Sequence, residues 1–228
     1  MNRLLTQILI CVIALTMVFS SGFAQKVVTI SQLQQVPLDS LKKLDSLQGA
    51  AAGSTADKSP YWRSNTLADT VSITGVVVVK PGILTYTLAR YNIYVQDTTT
   101  GALWAGLNVL TNDTSSQAQA GGISALDTGM VVTITGRVTE FGGNNSLTEM
   151  FHYSASAPIY TSPPPISIGT IVARPAAREM APSELAAGTL PHPSTGEKYE
   201  SMYVIVRDVT VISVDYTSGR FSYQDSLG

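Results

Sequence analysis

The chain of 228 residues is 44% hydrophobic but 13% charged, and it contains 18 glycines. Together with many Val, Thr and Ser residues, these proportions are typical of an exported β-rich protein. The formal net charge of −2 excludes a strongly basic field over the whole chain, although a local basic patch for nucleic acid stays open.

The first 24 residues have the layout of a secretory signal peptide. A short basic start precedes an apolar run over residues 4–19, and small residues stand before Gln25. The run is shorter than the roughly 20 residues of a spanning helix, so we expect cleavage and no stable membrane span, a retained anchor being the alternative. Export predicts a place outside the cell, on its surface or in the periplasm. Cys11 lies in the apolar run, so the remaining 204 residues (228 minus 24) have no cysteine and need a core that works without disulfides.

Residues 25–66 are predicted to form a leader helix and a linker. Apolar residues near helical spacing favour a helix within residues 31–47, and Pro37 places its start at the proline, in the first turn. Residues 49–59 are small and polar, which indicates a flexible linker. We expect this leader to pack on the module that follows.

Residues 67–157 are predicted to form a mainly β module. Alternating apolar residues indicate five strands, at residues 71–79, 91–97, 103–109, 130–138 and 146–152. Gly75 predicts a kink or bulge in the first strand, and residues 113–126 favour a short helix between the third and fourth strands. Five strands with a helical insertion at this place follow the order of an OB-fold, a five-stranded Greek-key barrel.

One short pattern occurs twice in the chain. Residues 93–97 (IYVQD) recur as residues 221–225 (FSYQD), and the second copy follows a Val/Thr-rich strand pattern over residues 204–212. In this alignment Asp208 matches Gly75. The repeat predicts that the beginning of a second barrel follows the first.

The remaining segments extend this prediction. Residues 158–170 are rich in proline and indicate a stiff linker, and residues 171–228 are predicted to be an incomplete second OB-like module. An open half-barrel leaves strand edges uncovered, so we expect the natural protein to continue beyond Gly228.

Three segments resemble the OB-fold modules of secreted bacterial surface proteins, similar to those that accompany extracellular nucleases: residues 69–77, 94–97 and 128–138. Residues 199–211 are similar to the beginning of a further such module in those nucleases, where a Gly commonly stands at the position of Ser201. Residues 29–33 resemble the leader of surface proteins of the Bacteroidetes type. The resemblance implies an exported binding or spacer role and carries no catalytic residue onto this chain.

Residues that could carry catalysis are few. Of the two histidines, His192 lies in a loop between prolines and His152 is predicted at the barrel rim. The sequence has no G-x-S-x-G, P-loop or zinc spacing, and Arg90, Asp97 and Arg137 do not match a nuclease cluster. Asp97 begins a turn that could bind a cation, although such an Asp more often bonds its own backbone. We therefore expect a protein that is not an enzyme and has neither metal nor cofactor.

OB-folds bind ligands on their second and third strands and the adjoining loops. With Ile93 and Val95 pointing inward, alternation predicts the outward residues Asn92, Tyr94, Gln96, Trp104 and Asn108. Tyr94 and Trp104 would form a stacking platform, and a neighbouring loop brings three residues within reach of a phosphate or a sugar hydroxyl: Lys80, Tyr86 and Arg90. The ligand would be a polysaccharide, a protein or a nucleic acid. The alternative, which we favour, is that Tyr94 and Trp104 pack against the leader helix or the neighbouring module.

Three functions remain open from the sequence. The chain is a non-catalytic exported module that binds or spaces, the accessory N-terminal region of an extracellular nuclease with its catalytic domain downstream, or a structural element of a large cell-surface protein. In each case its partners include downstream domains of the same chain.

Overall fold

The computed structural model describes residues 26–46, 58–62, 69–84, 90–99, 102–141, 147–154, 163–185, 194–215 and 220–225. The predicted signal peptide, Tyr86 and His192 lie outside these residues, as does most of the predicted linker at residues 49–59. Within the described ranges, no helix has the length and apolar character needed to cross a membrane.

Five strands close into a barrel. They are β2 (Thr70–Val79), β3 (Asn92–Gln96), β4 (Gly106–Thr111), β5 (Met130–Phe141) and β6 (Leu147–Tyr153), after a short β1 (Lys26–Val27). Around the barrel β2 pairs with β3, β3 with β4, β4 with β6, β6 with β5, and β5 again with β2. The β4–β6 pair is parallel and the others are antiparallel, which is the topology of an OB-fold. The predicted fold class is therefore confirmed.

The barrel interior is filled by alternate residues of every strand. Inward positions are fully or almost fully buried because the strand period of two directs every second side chain to the core. They include Val71, Ile73, Val77, Ile93, Val95, Leu107, Val109, Val132, Ile134, Val138 and Met150. The predicted helix between the third and fourth strands is present as α3 (Ser116–Gln119), and Ser115 caps its first turn.

The leader contains two helices, of which the first packs on the barrel and the second contacts residues 194–197. These are α1 (Ile30–Gln34) and α2 (Leu38–Ser46), which are separated at Pro37. The side chain of Thr29 accepts a hydrogen bond from the backbone of Gln32 and so caps α1. Ile30 and Leu33 have no exposed surface and belong to the barrel core. The predicted start at Pro37 agrees with α2, which begins at Leu38, whereas the short helix α1 before the proline was not predicted.

The structure explains the glycine at position 75 by close packing and not by the predicted kink or bulge. The register shift between β2 and β3 lies between Val77 and Val79. At Gly75 a Cβ atom would stand 2.9 Å from the carbonyl oxygen of Gln96 and 2.9 Å from Ile30 Cδ1. Glycine is therefore needed here because β3 and α1 approach the strand closely.

Seven further elements follow the barrel: β7 (Ser167–Ile171), β8 (Arg178–Met180), α4 (Pro182–Leu185), α5 (Ser194–Glu197), β9 (Val204–Val206), β10 (Val209–Asp215) and β11 (Arg220–Asp225). Strand β7 pairs with β5. Part of the predicted linker at residues 158–170 is therefore a strand of the barrel sheet. The predicted strand at residues 204–212 is divided into β9 and β10 at Asp208, whose φ is 55°.

The β10–β11 hairpin repeats the β2–β3 hairpin in detail. Val76 and Val77 pair with Gln96 and Val95, and the corresponding Thr210 and Val211 pair with Gln224 and Tyr223. In both hairpins the register shifts directly after these pairs. This register aligns Val76 with Thr210, which is one residue away from the alignment of Gly75 with Asp208.

Candidate ligand face of the barrel

Polar side chains form a row across three neighbouring strands on the outside of the barrel. Tyr94 on β3 stands opposite Asn108 on β4, and Asn108 stands opposite Glu149 on β6. Because Ile93 and Val95 lie in the core, Asn92 and Gln96 also lie on the outer side with Tyr94. The structure thus brings together four of the predicted ligand residues and adds Glu149 to them. We call this surface the outer face.

The outer face is covered by residues 198–203, which we call the strap. The backbone N–H of Tyr203 donates to Gln96 Oε1 at 3.0 Å, and the backbone N–H of Trp104 donates to the carbonyl oxygen of Lys198 at 2.8 Å. Gln96 is 5% exposed and Asn108 is 2% exposed, although both point away from the core. The structure therefore places residues of the following module against this face.

The alternation predicted that Trp104 lies on the third strand, but it lies before that strand. Strand β4 begins at Gly106, and the backbone of Trp104 is left-handed with φ at 61°. A left-handed residue interrupts the period of two, so the alternation cannot be extended through it. The cross-strand neighbour of Tyr94 is Asn108 rather than Trp104, and the predicted stacking platform is therefore corrected.

The strap and β4 meet without space for a side chain. A Cβ atom at Gly106 would clash with the backbone of Ser201 and Met202. Ser201 itself is left-handed, with φ at 56°. Glycine adopts this conformation readily while other residues pay for it sterically, which gives a physical reason for a glycine at this position.

The strap is anchored in the second module beside α4. Tyr199 Oη donates to Glu184 Oε1 at 2.6 Å, and Lys198 Nζ lies 3.0 Å from the same oxygen. These two donors, Tyr199 first, lower the pKa of Glu184 to about 2. Lys198 is thereby engaged with α4 at the start of the strap.

Glu149 is the carboxyl group at the centre of the outer face. It is 6% exposed, and Asn108 Nδ2 donates to its Oε1 at 2.7 Å. Burial raises the pKa of Glu149 to about 7, against the opposing effects of Arg90 and of the hydrogen bond from Asn108. Arg90 therefore acts on a carboxylate of the face, which was not foreseen when its place in the loop suggested a phosphate ligand.

Two more carboxyl groups lie beside the row. The backbone N–H of Thr148 donates to Glu200 Oε1 at 3.0 Å, and its hydroxyl donates to Glu140 Oε1 at 3.0 Å. Burial raises the pKa of Glu200 well above its ordinary value, and the charges of Glu197 and Glu140 raise it further. The pKa of Tyr94 is also raised, first by burial and then by Glu149 and Glu200.

This chemistry favours hydrogen-bond donors and disfavours phosphate. The Oδ1 atoms of Asn92 and Asn108 are buried and have no hydrogen-bond partner, so the face offers unused acceptors. The neighbouring carboxyl groups would repel a nucleic-acid backbone once they ionise. Lys80, which was expected to reach a phosphate, lies 3.4 Å from Asp127 in an ion pair.

The other predicted sites are resolved as follows. Asp97 Oδ1 accepts the backbone N–H of Thr99 at 2.9 Å, so the turn bonds itself as predicted. His152 is 1% exposed and is buried rather than at the rim, with Nδ1 donating to the carbonyl oxygen of Thr135 at 2.9 Å. In the part of the chain that the structure describes, no three His, Cys, Asp or Glu residues are grouped as for a metal ion.

No protein-family model and no curated protein matches the chain. Among solved structures it is similar to a protein assigned as an aspartyl-tRNA synthetase from Leishmania major Friedlin, with 10% identity and a TM-score of 0.33 over 69% of this chain and 23% of that one. It is also similar to a small single-stranded DNA-binding protein from Streptomyces coelicolor, with 16% identity and a TM-score of 0.23 over 36% of this chain and 84% of that one. The chain thus spans less than a quarter of the length of the first of these. The OB-fold assignment follows from the strand order and pairing.

Proposed function

We propose that the chain is an exported, non-catalytic OB-fold module of a larger secreted or cell-surface protein, and that its barrel acts as a spacer on which the following module docks. One observation carries the spacer role: the surface that OB-folds use for ligands is occupied by the strap of the same chain. The layout of residues 1–24 supports export.

The chemistry of the outer face supports a module without catalysis. Glu149 is held by Asn108, and Glu200 by the backbone of Thr148. Both carboxyl groups are therefore used in closing the face, and neither is presented to a substrate. We infer that the face holds two modules together.

Binding measurements test the spacer role. We expect the purified chain to show no saturable binding to single-stranded DNA or to a panel of bacterial polysaccharides at pH 6. Tyr94→Ala and Trp104→Ala serve as site variants, and Thr99→Ala, in an exposed turn away from the strap contacts, is the matched control. Saturable binding that Tyr94→Ala removes and Thr99→Ala retains would show that the face is a ligand site instead.

Export is tested separately. We expect the chain, produced with its own leader in a bacterial host, to be recovered outside the cytoplasm with Gln25 as the first residue in mass spectrometry. Recovery of the intact chain in the cytoplasm would contradict export and leave the spacer role to the binding experiment.

An accessory role in an extracellular nuclease is the second proposal. The resemblance of residues 199–211 to the beginning of a further module in those nucleases supports it; Ser201 departs from the glycine common there, but its left-handed backbone is one that glycine adopts readily. In this case the catalytic domain is downstream, and we expect no hydrolysis of DNA by this chain with added Mg²⁺ or Ca²⁺. DNA hydrolysis that remains with the chain after repurification, and that a chelator abolishes, would place catalysis in this chain and contradict both proposals.

A further inference from the structure

Hydrogen bonds fix the strap to the barrel. Three of them involve backbone N–H groups, those of Trp104, Thr148 and Tyr203, and each crosses between the strap and the barrel. Gln34 of the leader, whose Nε2 donates to the carbonyl oxygen of Gly106 at 2.6 Å, also forms a hydrogen bond with Glu200 of the strap. These contacts lie outside the strand pairings of the barrel, so removing the strap would leave the barrel ladders intact.

The closed arrangement contains strain at the same place. Trp104 and Ser201 both have left-handed backbones, and they lie on opposite sides of the contact between β4 and the strap. The hydroxyl of Ser201 is buried without a hydrogen-bond partner. Each of these features would be relieved if the strap moved into solvent.

Carboxyl groups face one another across the closed contact. Glu200 of the strap is faced by Glu197 from α5, by Glu140 from β5, and by the uncharged Gln34 and Thr148. The nearest strap cation, Lys198, is paired with Glu184. An ionised Glu200 would thus be repelled by Glu197 and Glu140 in a partly desolvated position.

Glu149 has one cation among its neighbours. It is faced by Arg90 from the loop before β3, by Glu140 from β5, by Asn108 from β4 and by Tyr94 from β3. The charges of Glu149 and Glu200 both raise the pKa of Tyr94, after the larger effect of burial. Glu149, which is buried, and Glu200, which is half-buried, therefore belong to one cluster of carboxyl groups at the strap.

We propose that the strap is a cover operated by pH, which lies on the barrel while Glu149 and Glu200 are protonated and leaves it when they ionise. Closing the strap then takes up protons, and by linkage a rise in pH shifts the equilibrium toward the open form. Opening would present Tyr94, Asn108 and the side-chain amide of Gln96 to solvent. The barrel would act as a spacer at acidic pH and offer its outer face at alkaline pH.

The size of the effect follows from the proton balance. If Glu149 alone regained the acidity of a solvated carboxyl group on opening, the open fraction would rise by up to about 100-fold between pH 5 and pH 9. Ionisation of Glu200 would add to this. A closed form that keeps part of its hydration would give a smaller factor, and we expect at least about tenfold.

Amide hydrogen exchange on the full chain measures the opening directly. The reporters are the N–H groups of Trp104, Thr148 and Tyr203, and the reference is the N–H of Val138, which donates to the carbonyl oxygen of Asp69 at the end of the β2–β5 pairing. After correction for intrinsic rates, we expect protection of the three reporters to fall at least about tenfold from pH 5.5 to pH 8.5 while protection of Val138 stays constant.

Three variants separate the proposed cause from others. In the double variant Glu149→Gln with Glu200→Gln both carbonyl acceptors remain, and we expect reporter protection to stay constant with pH. Gly106→Ala should lower reporter protection at every pH, because its Cβ clashes with the strap, while Gly169→Ala, whose Cβ would meet nothing closer than 3.5 Å, should behave as the natural chain does. Either single Gln variant should reduce the slope if the double variant does not fold.

Three results would overturn the proposal. The first is reporter protection in the natural chain that does not change with pH. The second is an equal fall in the Gln variants, which would exclude the two carboxyl groups as the cause. The third is a parallel fall at Val138, which would mean that the whole barrel opens and the strap does not move by itself.

Discussion

Replacing Glu149 by Gln should stabilise the protein at alkaline pH and leave it unchanged at acidic pH. The carboxyl group is almost fully buried, and its pKa of about 7 in the folded protein compares with 4.5 for a solvated carboxyl group. The folded state therefore binds this proton more tightly than the unfolded state does. Stability from this group is fully present below pH 4.5 and is lost as pH rises through 7.

The magnitude follows from the difference between the two pKa values. With the strap closed, it corresponds to about 3 kcal/mol of stability lost by the natural chain above pH 7. Glutamine keeps the oxygen that accepts from Asn108 Nδ2 but cannot ionise. We therefore expect Glu149→Gln to raise the free energy of unfolding by about 3 kcal/mol at pH 8.5 and by less than about 0.5 kcal/mol at pH 4.5.

Urea unfolding at several pH values measures this difference. The matched control is Glu179→Gln, whose carboxylate is paired with Arg207 on the surface and is 63% exposed, so its substitution should change stability little at either pH. A Glu149→Gln variant that is equally stable to the natural chain at pH 8.5, or destabilised by the same amount at both pH values, would refute the assigned burial of an ionisable carboxyl group.

Three further predictions concern other parts of the chain. Ser201→Gly should raise the free energy of unfolding by about 1 kcal/mol in thermal or urea unfolding, because glycine adopts the left-handed φ of 56° without steric cost; an unchanged or lower stability would contradict the strain. Ile30→Ala should lower the free energy of unfolding by about 2–5 kcal/mol, since Ile30 is fully buried in the barrel core, whereas Leu38→Ala, at a residue 65% exposed, should cost less than about 1 kcal/mol; similar losses in both would place the leader outside the core. Burial lowers the pKa of His152, so the free energy of unfolding should fall as pH drops below about 6.5. His152→Gln should reduce this dependence on pH in urea unfolding. An unchanged dependence in the variant would assign the fall to other groups.

The barrel was predictable because its strands follow simple local rules. Alternation placed Ile93 and Val95 inward and Asn92, Tyr94 and Gln96 outward, and the order of strands and helical insertion fixed the topology. The internal repeat was also visible in the sequence. The sequence alignment of the two copies differs by one residue from the alignment that the strand register gives.

The covered face was less predictable because it depends on contacts between distant segments. Glu149 alternates with core residues on β6, so its outward position could have been found, but its burial arises from a strap more than 40 residues later. Trp104 was misplaced because a left-handed φ at a non-glycine residue leaves no local signature. The contact of Glu200 with the barrel could not be predicted, because its partner, the backbone of Thr148, is distant in sequence.

The leader supplies part of the barrel itself, and this has a consequence for protein engineering. Val28, Ile30 and Leu33 fill the interior together with strand residues from Val71 onward. Each such side chain contributes about 1.5–3 kcal/mol by burial. A fragment that starts at residue 67 would therefore have a cavity in its hydrophobic core. Anyone transplanting this barrel into another protein should graft it from Lys26 onward, with its first turn of helix attached.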